Sequence, residues 1–264
     1  MSWLEELYAQ KLARTPKREN GSPECAAPTI ADPAQSASGF TPALRAKPSP
    51  SVIAEIKFAS PSQGAIRPRN DVEAVAESYA AAGAAALSVL TEEKHFGGHL
   101  SFIERAKRSS GLPILRKDFL ATPCDIAESQ AAGADGVLLI ARFLHRETLA
   151  ELICKAREFG LSALVEVHGE EDLEKTAGLP VEIIGVNHRN LETLCLDMAL
   201  SARLAPLLPA GAVRVAESGI STGRQLRKMA ALGYDAVLVG TAFMRTSAPG
   251  KALARLIGEA RDSN

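Results

Sequence analysis

The 264-residue chain contains no run of about 18 apolar residues, so no segment of it reads as a membrane-spanning helix. It has almost no net charge: 30 Lys and Arg against 31 Asp and Glu leave −1. That balance offers no basic field of the kind nucleic-acid binding rests on. Its first 20 residues interleave charges with apolar side chains, which excludes a secretory h-region. Cysteine is scarce. Cys25, Cys124, Cys154 and Cys195 are far apart, with no C-x-x-C pair and no histidine at ligand spacing, and they read as free thiols. His95 and His99 are four apart, but Gly97 and Gly98 between them argue against a helix-borne metal pair. What is left is a soluble, intracellular chain with one core, 46% hydrophobic and 23% charged, and α/β barrels reach this length as a single domain.

Residues 1–39 differ from the rest. Trp3, Leu4, Leu7, Tyr8 and Leu12 recur at helical spacing, and residues 20–39 are rich in Pro, Ala, Ser and Gly, as a linker would be. The segment Phe40 to Lys47 has room for a helical turn or two before Pro48 and Pro50. The expected division is therefore an N-terminal extension over 1–39, partly helical and then loop-like, and a catalytic domain over 40–264.

From Ser51 onward a short apolar run, a polar loop and an amphipathic helix repeat. The runs end at Lys57, Leu90, Lys117, Ile140, Glu166, Asn187, Glu217 and Gly240, on average about 26 residues apart. Between them lie helical patterns such as DVEAVAESYAAAG and RETLAELICKAREFG, several stopping at a glycine. Eight strand–helix units predict an α/β fold of the (β/α)8 TIM-barrel type. A doubly wound open sheet would want a G-x-G-x-x-G turn after an early strand, and none is present.

A barrel strand is buried on both faces, so its charges require a reason. Period-two alternation in SVIAEIK puts Ile53, Glu55 and Lys57 on one face and Val52, Ala54 and Ile56 on the other. The wholly apolar face packs on helices, which turns Glu55 and Lys57 into the barrel mouth. The same alternation sends Lys117, Glu166 and Glu217 inward, and Asn187 ends the sixth strand. All lie at C-terminal strand ends, where barrel enzymes keep their active sites. Arg116 is turned the other way, toward the helices, and reads as a rim residue. After strands seven and eight, Ser218-Gly219 and Gly240-Thr241 bring small residues and backbone N–H groups to a position suited to phosphate.

The segments AEIKFASPSQG, LTEEKHFGG, LRKDF, LVEVH, GVNHRNL, AESGI and VLVGTAFM, in that order, closely resemble the indole-3-glycerol-phosphate synthase family of tryptophan biosynthesis, over about residues 40–262. The resemblance implies conversion of 1-(2-carboxyphenylamino)-1-deoxyribulose 5-phosphate to indole-3-glycerol phosphate, with loss of carbon dioxide and water and with neither metal nor organic cofactor. It implies a role for each matching residue. Lys117 would be the general acid for ring closure, Lys57 would contact substrate anions and assist dehydration, and Glu166 would be the base or orient the lysines. Glu55 and Glu217 would be further carboxylates of the catalytic set, with Asn187 and Arg189 as polar contacts. Phe96 and Phe119 would flank the anthranilate ring, while Ser60, Ser218, Gly219, Gly240 and Thr241 would lie on or beside the phosphate loops.

Three positions depart from the family pattern: Phe58 stands where a basic residue is usual, His188 where Asn or Ser is usual, and His99 where a small residue is common. The chemistry of a phosphoribosylanthranilate isomerase would want Cys and Asp at the strand ends, and no cysteine ends a strand here. The only partner this chemistry requires is its small phosphorylated substrate. The expectation is a cytoplasmic protein, monomeric and independent of other tryptophan-pathway enzymes, that binds neither nucleic acid nor membrane.

Overall fold

The computed structural model describes residues 7, 8, 11, 39–46, 50–61, 63–68 and 71–261. Eight parallel strands close into a barrel: β1 (Ser51–Ile56), β2 (Ala86–Leu90), β3 (Ile114–Lys117), β4 (Gly136–Ile140), β5 (Ser162–Val167), β6 (Ile183–Asn187), β7 (Val213–Glu217) and β8 (Ala236–Val239). Each pairs with its sequence neighbours, and β8 returns to β1 with Ser51 opposite Ala236. Every strand-end position expected from the alternation falls in one of these strands except Lys57, which follows β1, and Gly240, which follows β8.

The helices obey local chemistry. α1 (Phe40–Arg45) covers the bottom of the barrel, with Phe40 and Leu44 buried and Thr41 Oγ1 2.8 Å from Ser162 Oγ. Phe40 is fully buried, so truncating it to alanine would cost about 3–5 kcal/mol. α2 (Val72–Ala81) and α3 (Phe102–Ser110) follow β1 and β2, and Gly111 ends α3 in the left-handed conformation. α4 (Pro123–Ala131) starts with a capping box between Thr122 and Asp125. α5 (Arg146–Glu158), α6 (Glu170–Glu174) and α7 (Leu200–Leu204) cover β4 to β6. α8 (Gly223–Ala231) opens on a second capping box, Thr222 with Gln225, and α9 (Thr241–Met244) and α10 (Pro249–Arg261) complete the ring. Among the described residues no helix is long and apolar enough to cross a membrane.

Two expectations are corrected. Cys154 and Cys195 are free, but Cys124 is disulfide-bonded, so the four cysteines are not all thiols. Arg116 does face the helices, yet it is buried rather than on the rim. Its guanidinium reaches Thr91 Oγ1 at 3.1 Å, Ser129 Oγ at 3.1 Å, Asp118 at 3.3 Å and Glu128 at 2.7 Å. With its donors satisfied from several elements, the charge tolerates burial. Of the expected N-terminal helix, Leu7, Tyr8 and Lys11 are helical. Trp3, Leu4 and Leu12 lie outside the described residues, as does the expected linker apart from Gly39.

Candidate active site

The strand ends enclose a cavity of about 400 Å³ at the C-terminal face of the barrel. Every residue named from the sequence as a site candidate lines it: Glu55, Lys57, Ser60, Phe96, Lys117, Phe119, Glu166, Asn187, Arg189, Glu217, Ser218, Gly219, Gly240 and Thr241. Lys117 is the hub. Its Nζ donates to Glu166 Oε2 at 2.9 Å and stands 3.7 Å from Glu217 Oε2. Lys57 Nζ pairs separately with Glu55 Oε2 at 2.6 Å. The sheet register sets this grouping, with Asn187 beside Glu217 and Ile140 beside Glu166.

Burial and charge divide the protons unequally. Burial works against the charge on Lys117, but Glu166, Glu217 and Glu55 around it more than offset that and hold the ammonium above the ordinary lysine range. Burial alone would raise Glu166, yet the Lys117 ammonium and the His168 ring keep its carboxyl well below the usual carboxylate range. Burial and the nearby Glu166 charge push Glu217 well above that range, because the attraction of the more distant Lys117 is too weak to compensate. The free site therefore holds an ionised Glu166 beside a charged Lys117, and a Glu217 carboxyl that gives up its proton far less readily than Glu166 does.

Glycines make room for these carboxyls. A Cβ on Gly185 would strike Glu217 Oε1, and a Cβ on Gly240 would strike Glu55 Oε2. Gly240 thus has a packing reason besides the phosphate turn read from the sequence. At the other loop Ser218 and Gly219 have φ of 67° and 77°, and the first is a rare conformation for serine.

The apolar side of the pocket carries Phe96 and Phe119, ring centroids 6.1 Å apart and tilted by 43°. Phe96 sits in a loop gathered around Glu92, whose buried carboxylate accepts the backbone N–H groups of Lys94, His95 and Phe96 at 3.1, 2.7 and 3.1 Å. Tyr8 stacks on Phe143 at 4.7 Å and meets Phe119 edge-on at 5.7 Å. Lys11 pairs with Asp118 at 3.0 Å, next to Lys117 in the chain. Phe58, where a basic residue was the usual expectation, is buried edge-on against Phe102 at 5.6 Å.

Sequence reasoning missed four of these groups. His168 Nε2 lies 3.2 Å from Glu166 Oε1, and its Nδ1 lies 3.7 Å from Asp172. The alternation that turned Glu166 inward holds for the residue two further on, so His168 could have been found. Glu92, Asp118 and Gly185 carry no such local signal.

A family model described as indole-3-glycerol phosphate synthase matches residues 4–256. An indole-3-glycerol phosphate synthase of Chromobacterium violaceum is 46% identical over 220 residues, covering 82% of this chain and 83% of its own length. That of Rhodospirillum rubrum is 41% identical over 259 residues, 97% of this chain and 98% of its own. Among solved structures, a 3-hexulose-6-phosphate synthase superposes with a TM-score of 0.63 at 17% identity, over 79% of this chain and 99% of that one. A thiamine phosphate pyrophosphorylase from Pyrococcus furiosus gives 0.58 at 16% identity, over 80% and 96%. At those identities the structural likeness speaks for the barrel alone, whereas the sequence matches reach the strand ends that carry the charges. The chain belongs to the indole-3-glycerol phosphate synthase family, the decarboxylating carbon–carbon lyases of tryptophan biosynthesis.

Proposed function

We propose a division of labour among these residues for the reaction of this enzyme, the closure of the indole ring of 1-(2-carboxyphenylamino)-1-deoxyribulose 5-phosphate. The ring carbon bearing the carboxylate attacks the C2′ carbonyl, and the carbonyl oxygen gains charge as the bond forms. Lys117 donates a proton to that oxygen. An ammonium held charged by three carboxyls gives up its proton only to a strongly basic acceptor, and a developing alkoxide is one. Carbon dioxide leaves next, returning its bonding electrons to the ring. Lys57 then assists loss of the C2′ hydroxyl as water, and ionised Glu166 takes the remaining ring proton and restores aromaticity. Glu217, whose carboxyl is pushed up and so favours keeping a proton, is a second proton source beside Lys117, Glu55 steers Lys57, and Asn187 and Arg189 orient the substrate's polar chain.

Phe96 and Phe119 flank the anthranilate ring, Ser60 contacts the substrate beside the phosphate loops, and Ser218, Gly219, Gly240 and Thr241 take the phosphate. The observation that carries the reading is Lys117 set 2.9 Å from Glu166 and 3.7 Å from Glu217 in a pocket with one aromatic wall. The barrel domain of 40–264 carries an N-terminal extension over 1–39, of which Tyr8 and Lys11 lie against Phe119 and Asp118 of the pocket. The reading extends to a monomer that works without other tryptophan-pathway enzymes. A biosynthetic role supports a cytoplasmic location, and the charge balance speaks against nucleic acid. The test is the appearance of indole fluorescence when purified protein meets the carboxyphenylamino-deoxyribulose phosphate. Silence from folded protein would overturn the reading.

A further inference from the structure

His188 stands between Asn187 and Arg189, which both line the pocket, but its own ring points away from it. The residue is 1% exposed. Its backbone is tied on both sides, with N–H donating to Glu217 O at 3.0 Å and C=O accepting from Asp197 at 2.8 Å. The ring has two partners of its own. Nδ1 is 2.8 Å from the Ser218 carbonyl oxygen, and Nε2 is 2.6 Å from Ser201 Oγ. A carbonyl oxygen can only accept, so Nδ1 carries the proton. In the neutral ring Nε2 then accepts from the Ser201 hydroxyl. Burial keeps this imidazole below its ordinary range, against the pull of the Ser218 carbonyl and Asp197, so the neutral form is the one present near pH 7. Behind it, the Tyr234 hydroxyl donates to Ser201 O at 3.1 Å and steadies the serine.

The bond to Ser218 has a consequence inside the pocket. In a trans peptide the C=O and the next N–H point in opposite directions. Holding the Ser218 carbonyl outward on His188 therefore aims the Gly219 N–H inward. The next peptide is held the same way, because Gln225 Nε2 donates to Gly219 O at 3.1 Å from outside the pocket. Ser218 keeps a φ of 67°, a conformation that persists in a serine only when its surroundings enforce it.

We propose that His188 is a positioning residue for phosphate recognition, its Nδ1–H fixing the Ser218 carbonyl so that the Gly219 amide faces the anion. The proposal rests on the reading of the Ser218–Gly219 turn as part of the phosphate site. His188→Leu keeps much of the volume and removes the donor. It should raise the KM of the substrate and the inhibition constant of inorganic phosphate together, by about three- to tenfold for one lost hydrogen bond, with kcat nearly unchanged. His188→Asn restores a donor at the same distance from the backbone and should recover most of the phosphate affinity, although it loses Ser201. A purely structural role would lower Tm in both variants and leave the phosphate constant alone.

A second measurement on the intact protein covers the case in which the leucine variant does not fold. Nitrogen-15 NMR should show His188 as the Nδ1–H tautomer, and added inorganic phosphate should shift the Gly219 amide. If that amide does not move, the phosphate reading and the proposal fall together. If it moves but His188→Leu leaves the phosphate constant unchanged, or His188 is found as the Nε2–H tautomer, the positioning role alone is refuted.

Discussion

Replacing Lys117 with methionine tests the centre of the mechanism, because two separate quantities should change. The first is rate. An ammonium aimed at an oxygen that gains charge only during bond formation stabilises the transition state more than the bound substrate. Losing a general acid lowers kcat by about 10²–10⁴, or about 2.7–5.5 kcal/mol. The second is the protonation of Glu166. In the parent site its carboxylate is 2.9 Å from the ammonium and fully buried. Without the ammonium the Glu166 carboxylate keeps only the His168 ring at 3.2 Å. Breaking one buried ion pair costs about 3–5 kcal/mol, at about 1.4 kcal/mol per pKa unit, so in the variant the carboxyl is pushed up toward its protonated form.

The sign of the pH dependence follows from linkage. In the parent, Glu166 has a depressed folded pKa, so its stabilisation is present above the unfolded value of about 4.3 and is lost as pH falls through the folded one. In Lys117→Met its folded pKa is raised. The protonated group then contributes stability below about pH 4.3, and this contribution is lost as pH rises toward the new folded value. Urea unfolding between about pH 4.5 and 8 should accordingly show the variant weakening relative to the parent as pH rises. Adding Glu166→Gln to Lys117→Met should abolish that difference without restoring turnover. Arginine at this position should not rescue, since a guanidinium keeps its proton near neutral pH. Indole fluorescence gives the rate. Retention of more than about a tenth of kcat, or a variant whose relative stability does not vary with pH, would refute the reasoning.

Other substitutions separate the remaining roles. Glu217→Gln should raise thermal stability near pH 7, because the raised folded pKa makes this carboxyl harder to ionise in the folded chain than in the unfolded one, and the gain should vanish below about pH 4; unfolding curves at both pH values check it. Lys57→Met should raise KM as well as lower kcat, since it loses a contact to substrate anions, and steady-state kinetics with a KM unchanged would assign Lys57 to chemistry alone. Gly185→Ala drives a methyl into the Glu217 carboxyl and to 2.8 Å from Leu164 Cδ2, so kcat should fall while circular dichroism keeps the barrel signature. Lys11→Met should raise KM only modestly, because Asp118 keeps Arg116 and Thr91 at 3.3 and 2.7 Å, and a collapse in solubility would make the N-terminal contact part of the core.

The barrel was legible because its strands are short, buried on both faces and separated by helices with glycine stops, all properties of local sequence. Alternation then assigned faces correctly, sending Glu55, Lys117, Glu166 and Glu217 inward and Arg116 outward. It did not show that Arg116 would be buried, because the acceptors that satisfy it come from Thr91, Asp118 and α4, and their convergence exists only after folding. Gly185 was hidden for the same reason: it reads as an unremarked strand glycine until Glu217 from the neighbouring strand needs its space.

The deepest part of the site was the least legible. Three glutamates facing one lysine look equivalent in sequence, and alternation has no means of ranking them. Their difference comes from position inside a medium that screens poorly: both are buried, but Glu166 has Lys117 at 2.9 Å and the His168 ring to hold it low, whereas burial and the Glu166 charge push Glu217 up with the ammonium 3.7 Å away. Two carboxyls so close together cannot both ionise cheaply beside a single ammonium, so the loss of a proton from one favours its retention by the other. A site built this way carries a base and an acid from the same residue type, and the roles are assigned by the lysine's position rather than by the glutamates themselves.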